Sequence, residues 1–272
     1  MSQRPAEKTR PRLLLLIGLL LVIVVAGSVF AILNGAKARQ DNTSSMRATG
    51  IAKAVGAAAA IMETATARAQ ATSDARNAFA NPYPPYSGSL VLDDSLRNNS
   101  KGYHWEVGSD DDGICQFSNA AYTVDTAKSA YVQYCKATVS PGHFTSFVYQ
   151  ARMTILKGDR GGLTFLVNDA QKTFYYFGIG QDGSYILDSF KGENATILLK
   201  GDASTLIHTG LNSPNLVAVV LIGSNVDLYV NRHWIVRASN IVGSPDCLIG
   251  LAAQDRTNHT EVVFNDAMIW SL

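Results

Sequence analysis

The sequence predicts an all-β body, two antiparallel layers packed as a sandwich, preceded by a transmembrane helix and an Ala-rich helical linker. Residues 215–238, NLVAVVLIGSNVDLYVNRHWIVRA, read as three strands in series, split by Gly223-Ser224-Asn225 and Asn231-Arg232, whose residues tolerate the positive φ of tight hairpins. In the middle strand Val226, Leu228 and Val230 alternate with Asp227 and Tyr229, the period of a sheet with one buried face. Such segments recur from Ser89 onward at a spacing of about ten residues, with no helical period between them. Two or three strands bury too little to stand alone, so the whole stretch must join one body.

The segments ahead of it are of other kinds. Residues 1–12 carry Arg4, Lys8, Arg10 and Arg12 against Glu7, a net +3, which leaves the remainder (19 basic, 21 acidic) near −2. Residues 13–33, LLLLIGLLLVIVVAGSVFAIL, are uncharged and long enough to cross a hydrocarbon core, which takes roughly 20 apolar residues. The run exceeds the apolar region of a cleaved signal peptide, about 7–15 residues. Positive charge ahead of it predicts a single-pass membrane protein with a cytoplasmic basic tail at 1–12 and an extracytoplasmic remainder.

Residues 34–80 hold 16 alanines in 47 positions, and Ile51, Val55, Ala58, Met62, Ala65 and Ala69 follow alternating steps of four and three. That is a heptad seam of mostly small side chains, suited to a helical stalk with weak self-association or to a plain spacer. The run Asn81-Pro82-Tyr83-Pro84-Pro85-Tyr86-Ser87-Gly88 ends the helix, because each proline lacks a donor and extends the residue before it. The sandwich is expected over 89–272. Its predicted strands are 89–92, 114–124, 130–137, 144–157, 162–168, 173–180, 184–187, 196–200, 216–222, 226–230, 234–236, 248–253 and 261–271. Between two of them, Gln181-Asp182-Gly183 is a hairpin signal. A net charge of +1 leaves no bulk electrostatic case for nucleic acid.

The series GGLTFLVNDAQKTFYYFGIGQDGSYIL, VDLYVNRHWI, CLIGLAAQ and EVVFNDAMIWSL resembles the concanavalin A-like lectin/glucanase jelly roll, and within it the LamG-type and 3-keto-disaccharide hydrolase-type (DUF1080-like) domains. The opening VLDDSLRNNSKGYHW is similar to the start of such domains, so the resemblance spans roughly 89–272. It implies a membrane-anchored bacterial surface protein whose sandwich binds carbohydrate or a surface partner. A sugar-acting hydrolase and a structural envelope protein are the alternatives. The likeness to LamG domains also implies Ca²⁺, for which Asp93, Asp94, Asn168 and Asp169 are the candidate ligands. One position departs from the pattern: Leu166, not a basic residue, follows Phe165.

Glycoside hydrolysis needs two carboxylates flanking one bond. No Glu-x-Asp-x-x-Glu run occurs, and Asp110-Asp111-Asp112 read as a solvated loop beside Gly108 and Gly113. Sugar binding calls for aromatic faces with a few directed polar groups. Alternation along 148–155 and 174–177 picks Gln150, Arg152, Tyr176 and Tyr185 as an outward, sugar-facing patch. Trp105, Trp234 and Trp270 are expected to plug the ends of the sandwich. Of three cysteines, Cys115 and Cys135 lie on neighbouring predicted strands and are expected to bridge a hairpin, leaving Cys247 as a buried thiol. The histidines are scattered and show no zinc spacing.

Overall fold

A computed structural model describes residues 53–68, 80–137, 146–243 and 248–272. The chain divides into two compact units, 1–73 and 74–272. In the first, helix α1 (53–68) leaves every residue exposed. Thr64 and Thr66 donate to carbonyls one turn back, at 2.8 Å each. Val55, Ala58, Met62 and Ala65 of the predicted seam lie on α1, whereas Ile51, Ala69, the basic tail and the apolar run at 13–33 lie outside the described residues, as does Cys247. Among the described residues no helix is long and apolar enough to cross a membrane.

The second unit is an antiparallel jelly-roll β-sandwich. Its nine-stranded sheet runs β13 (His233–Ala238), β12 (Asn225–Val230), β11 (Asn215–Ile222), β6 (Ser146–Lys157), β15 (Thr260–Ser271), β4 (Ala121–Thr126), β3 (Gly113–Ser118), β2 (Gly108–Ser109). β1 (Ser89–Asp94) also pairs with β15, so β15 carries three neighbours. The six-stranded sheet runs β10 (Asn194–Asp202), β9 (Ser184–Lys191), β8 (Thr173–Gly180), β7 (Arg160–Asn168), β14 (Leu248–Gln254), β5 (Val132–Ala137).

Period-2 alternation sends Tyr149, Met153, Leu163, Phe165, Phe177, Leu187, Leu228 and Phe264 into one core between the sheets. Fully burying each aliphatic or Phe side chain among them is worth about 1.5–3 kcal/mol. The Tyr149 hydroxyl donates to the Gly250 carbonyl at 3.0 Å, tying one sheet to the other through the core.

Three expectations are corrected. The predicted strand 114–124 is a hairpin of β3 and β4, turned by Asn119 and Ala120, both at positive φ (50° and 58°). Cys115 and Cys135 are disulfide-bonded with Cα atoms 5.8 Å apart, but Cys115 is on the nine-stranded sheet and Cys135 on the edge of the six-stranded one. The bond therefore staples the two layers rather than a hairpin, because the Asn119 turn moves β4 between them in sequence. Third, Trp105 and Trp270 are buried, Trp270 on the outer face of the nine-stranded sheet rather than at an end of the sandwich, while Trp234 is not buried.

The Pro-rich run packs onto the sandwich instead of merely preceding it. Tyr83 is buried on the outer face of the nine-stranded sheet with Val148, Val220, Tyr229 and Trp270. Asn81 Oδ1 accepts the Tyr83 N–H and Asn81 Nδ2 donates to the Ser87 carbonyl, both at 2.9 Å, which fixes the loop; its Pro84–Pro85 peptide is cis.

Candidate functional site on the outer face of the six-stranded sheet

Because Leu163, Phe165, Phe177, Leu187 and Leu251 enter the core, their neighbours in sequence point out of the sheet. Outward from β7, β8 and β9 stand Arg160, Thr164, Tyr176 and Asp188. The register sets Thr164 opposite Tyr176 and Tyr176 opposite Asp188, so three polar groups form a row across three strands. An outer face is normally wet, yet Arg160 is 5% exposed, Asp188 2%, and Thr164 and Tyr176 not at all.

Four polar atoms there have no hydrogen-bond partner among the described residues: Arg160 Nε, Thr164 Oγ1, Tyr176 OH and Asp188 Oδ1. A buried polar group left unpaired costs about 1–3 kcal/mol, so these four, each closed to solvent, form a strained polar row beneath the surface of the sheet. The rest of Arg160 is well held. Its terminal nitrogens donate to Gln254 Oε1 (3.4 Å) and Ser184 Oγ (2.7 Å), and Ser184 in turn donates to Asp182 Oδ1 (2.5 Å). The guanidinium is thus aimed, not floating.

Two glycines make the space. A Cβ on Gly178 would collide with the Tyr176 hydroxyl, and one on Gly250 with Thr164 Oγ1. Burial pushes the Tyr176 phenol well above its ordinary value, with the Arg160 charge opposing. Burial likewise lifts the Asp188 carboxyl to about 6, again against the pull of Arg160. Asp188 therefore titrates near neutrality, while Asp182, held by Ser184's two donors in spite of partial burial, stays below the usual carboxylate range.

Along the same face runs a groove of about 870 Å³ lined by Tyr134, Phe174 and Phe190, with Lys128, Lys172, Asp169 and Glu193 around it. Phe174 stacks on Phe190 (4.4 Å between ring centres, 5° between planes) and meets Tyr134 at 4.5 Å. Gln254 lines the groove and also binds Arg160, joining the aromatic wall to the polar row.

The predicted patch is not one patch. Gln150 and Arg152 are on β6, in the other sheet. Gln150 is covered by the Tyr83 hydroxyl, which donates to it at 3.0 Å, and Arg152 sits in water 3.5 Å from Asp266. Tyr185 faces inward against the core, over Gly201. Only Tyr176 reaches the polar row. Alternation tells which side of a strand a residue takes, but not which sheet the strand joins. Arg160 and Asp188 were missed because the predicted strands 162–168 and 184–187 stop just short of them. The available signal was a lone Arg and a lone Asp continuing the outward phase of two apolar strands.

The calcium candidates are also apart. Asp94 is buried and accepts from Leu96 N–H (2.9 Å) and Trp105 Nε1 (3.0 Å), so it anchors a tryptophan. Asp93 pairs with Lys101 (3.4 Å). On the β7–β8 turn Asn168 accepts from Gln171 N–H (3.0 Å), and Asp169 pairs with Lys136 (2.9 Å). Among the described residues no three His, Cys, Asp or Glu side chains converge as a metal site. The Asp110–Asp112 run is a turn: Asp110 accepts from the backbone of Asp112 and Gly113, and Asp112 pairs with Lys128 (3.0 Å).

No protein-family profile and no curated protein matches the sequence. Solved structures do match the fold. The carbohydrate-binding module CBM66 of Bacillus subtilis aligns with a TM-score of 0.50 at 16% identity, over 61% of this chain and 95% of that one. A Bacillus subtilis protein of unknown function with a galectin-like fold aligns at 0.50 and 11% identity, over 68% and 96%. A Bacillus licheniformis β-glucanase aligns at 0.49 and 8% identity, over 68% and 100%. At such identities the likeness is one of architecture: the body has the galectin-like, concanavalin A-like sandwich.

Proposed function

We propose that this chain displays a glycan-binding sandwich outside the cytoplasm, tethered through residues 13–33, with the groove of the six-stranded sheet as its sugar site. The observation that carries the reading is the groove walled by Tyr134, Phe174 and Phe190, with charged side chains around it. Sugar hydroxyls both donate and accept, so one ring can accept from Lys128 or Lys172 and donate to Asp169 or Glu193 around the groove. Its C–H face suits Tyr134, Phe174 and Phe190. That one of the neighbouring folds is described as a carbohydrate-binding module adds support, as does the likeness of the strand motifs to LamG-type domains.

The tether is supported by an uncharged run of 21 residues behind a basic tail. The Cys115–Cys135 bond suits an oxidising compartment. Val55 and Met62, exposed on α1, leave the stalk seam open to a second copy. The test is a glycan array probed with the full-length protein in a sugar-free detergent, alongside Phe190→Ala. The wild type is expected to retain a glycan at millimolar affinity or better, and the variant to bind it about tenfold more weakly, one lost aromatic face. A wild type that retains nothing ends the proposal.

A further inference from the structure

On the opposite sheet a different side chain stands out. Trp234, on edge strand β13, is 55% exposed, whereas Trp105 and Trp270 are buried to within 2%. An exposed tryptophan usually swings freely; this one does not. Its Nε1–H donates to Asp227 Oδ1 at 2.9 Å, and Asp227, 7% exposed, is gripped by Arg237 through Nε (2.9 Å to Oδ1) and NH2 (2.6 Å to Oδ2). Those donors outweigh the effect of burial and keep the Asp227 carboxylate ionised. From below, Tyr229 lies opposite Trp234 in the register and packs edge-on against Tyr83, at 5.0 Å.

Holding a half-exposed indole in one place gives up side-chain entropy while leaving much of its apolar area in solvent. We propose that Trp234, fixed by Asp227 beside Arg237, is a second saccharide platform, separate from the groove, that takes the C–H face of a neutral pyranose. Three features select that ligand. The indole N–H is already committed to Asp227, so the polar handle that a peptide carbonyl or a lipid headgroup would take is occupied, while the residue as a whole stays 55% exposed. Arg237 shares its charge with Asp227, which removes the pull on an anion. Arg237 also has five N–H donors, and Asp227 takes two of them, leaving three for ring hydroxyls next to the indole.

The burial of the other two tryptophans makes the test direct, since acrylamide then quenches Trp234 above all. Full-length protein in a polyoxyethylene detergent is titrated with cellohexaose, laminarihexaose and maltohexaose, and with decaproline and phosphatidylcholine vesicles for comparison. At millimolar sugar, one hexasaccharide is expected to lower the quenching constant at least threefold and to shift emission to the blue. Arg237→Gln weakens that protection about tenfold, and Trp234→Ala removes the matching heat of binding by calorimetry. Phe190→Ala, in the groove on the other sheet, leaves Trp234 protection unchanged, which separates this platform from the groove. Quenching untouched by all three hexasaccharides, or reduced by decaproline or vesicles instead, overturns the proposal.

Discussion

Replacing Asp188 by Asn is expected to make the protein more stable at neutral pH. The wild-type carboxyl is buried and its Oδ1 unpartnered, which raises it from an ordinary 3.8 to about 6. A carboxyl raised by folding opposes folding once ionised, so the penalty is absent below about pH 4, grows between the two values and is complete above about pH 6. At about 1.4 kcal/mol per pH unit, that span is worth about 3 kcal/mol at most. An asparagine amide buried in the same row recovers part of this penalty, since it too lacks a full set of partners, so the expected net gain is ~1–2 kcal/mol. For a body of this size that is about 3–6 °C in melting temperature. Urea denaturation of both proteins at pH 4, 6 and 7.5 measures it. At pH 4 the variant should be no more stable than the wild type, and it should gain on the wild type as pH rises. Equal stability at all three values, or a variant weaker at pH 7.5, refutes the claim that burial strains this carboxylate.

Removing the inter-sheet bond with Cys115→Ser/Cys135→Ser closes no loop across a separation of 20 residues, and should lower the unfolding free energy by about 3 kcal/mol, read by chemical denaturation. Gly178→Ala drives a methyl into the Tyr176 hydroxyl; a loss of about 1–3 kcal/mol, with groove binding reduced, is expected by melting and calorimetry. Asp159 accepts from the backbone N–H groups of Arg256, Thr257 and Asn258 and from Asn258 Nδ2, which outweigh partial burial and lower its carboxyl to about 2. Its stabilisation is present above about pH 4 and lost as pH falls through 2. Asp159→Asn should therefore cost about 1 kcal/mol at pH 7, after allowance for solvent screening, and nothing at pH 1.5, by acid titration of the fold.

Much of the sandwich was legible because its signal is local. Val226, Leu228 and Val230 announce their strand by alternation, and Gln181-Asp182-Gly183 its turn, where Gly183 has φ of +85°. Strand ends were less legible. Arg160 and Asp188 are polar residues inside strands, and polarity is the cue by which a strand is judged to stop. The grouping of site residues was illegible for a different reason. Gln150 and Tyr176 share an outward phase but belong to different sheets, a matter decided by pairings between residues more than a hundred positions apart, such as β6 with β15. Trp234 is expected to be a plug like Trp105, and both donate to a buried carboxylate, Asp227 and Asp94, but Trp234 itself stays exposed on an edge strand.

Strand β15 lies against β6 on one side and against both β4 and β1 on the other, with Ser271 opposite Ser89. The earliest and latest strands of the body are therefore stitched directly together, and the hub of the larger layer is its last piece. A polypeptide delivered from its N-terminus must keep β1, β4 and β6 waiting as open edges until residues 260–271 arrive. Maturation of such a topology is all-or-none and late, and a nascent chain stalled before β15 is a substrate for chaperones and proteases rather than a partly working binder.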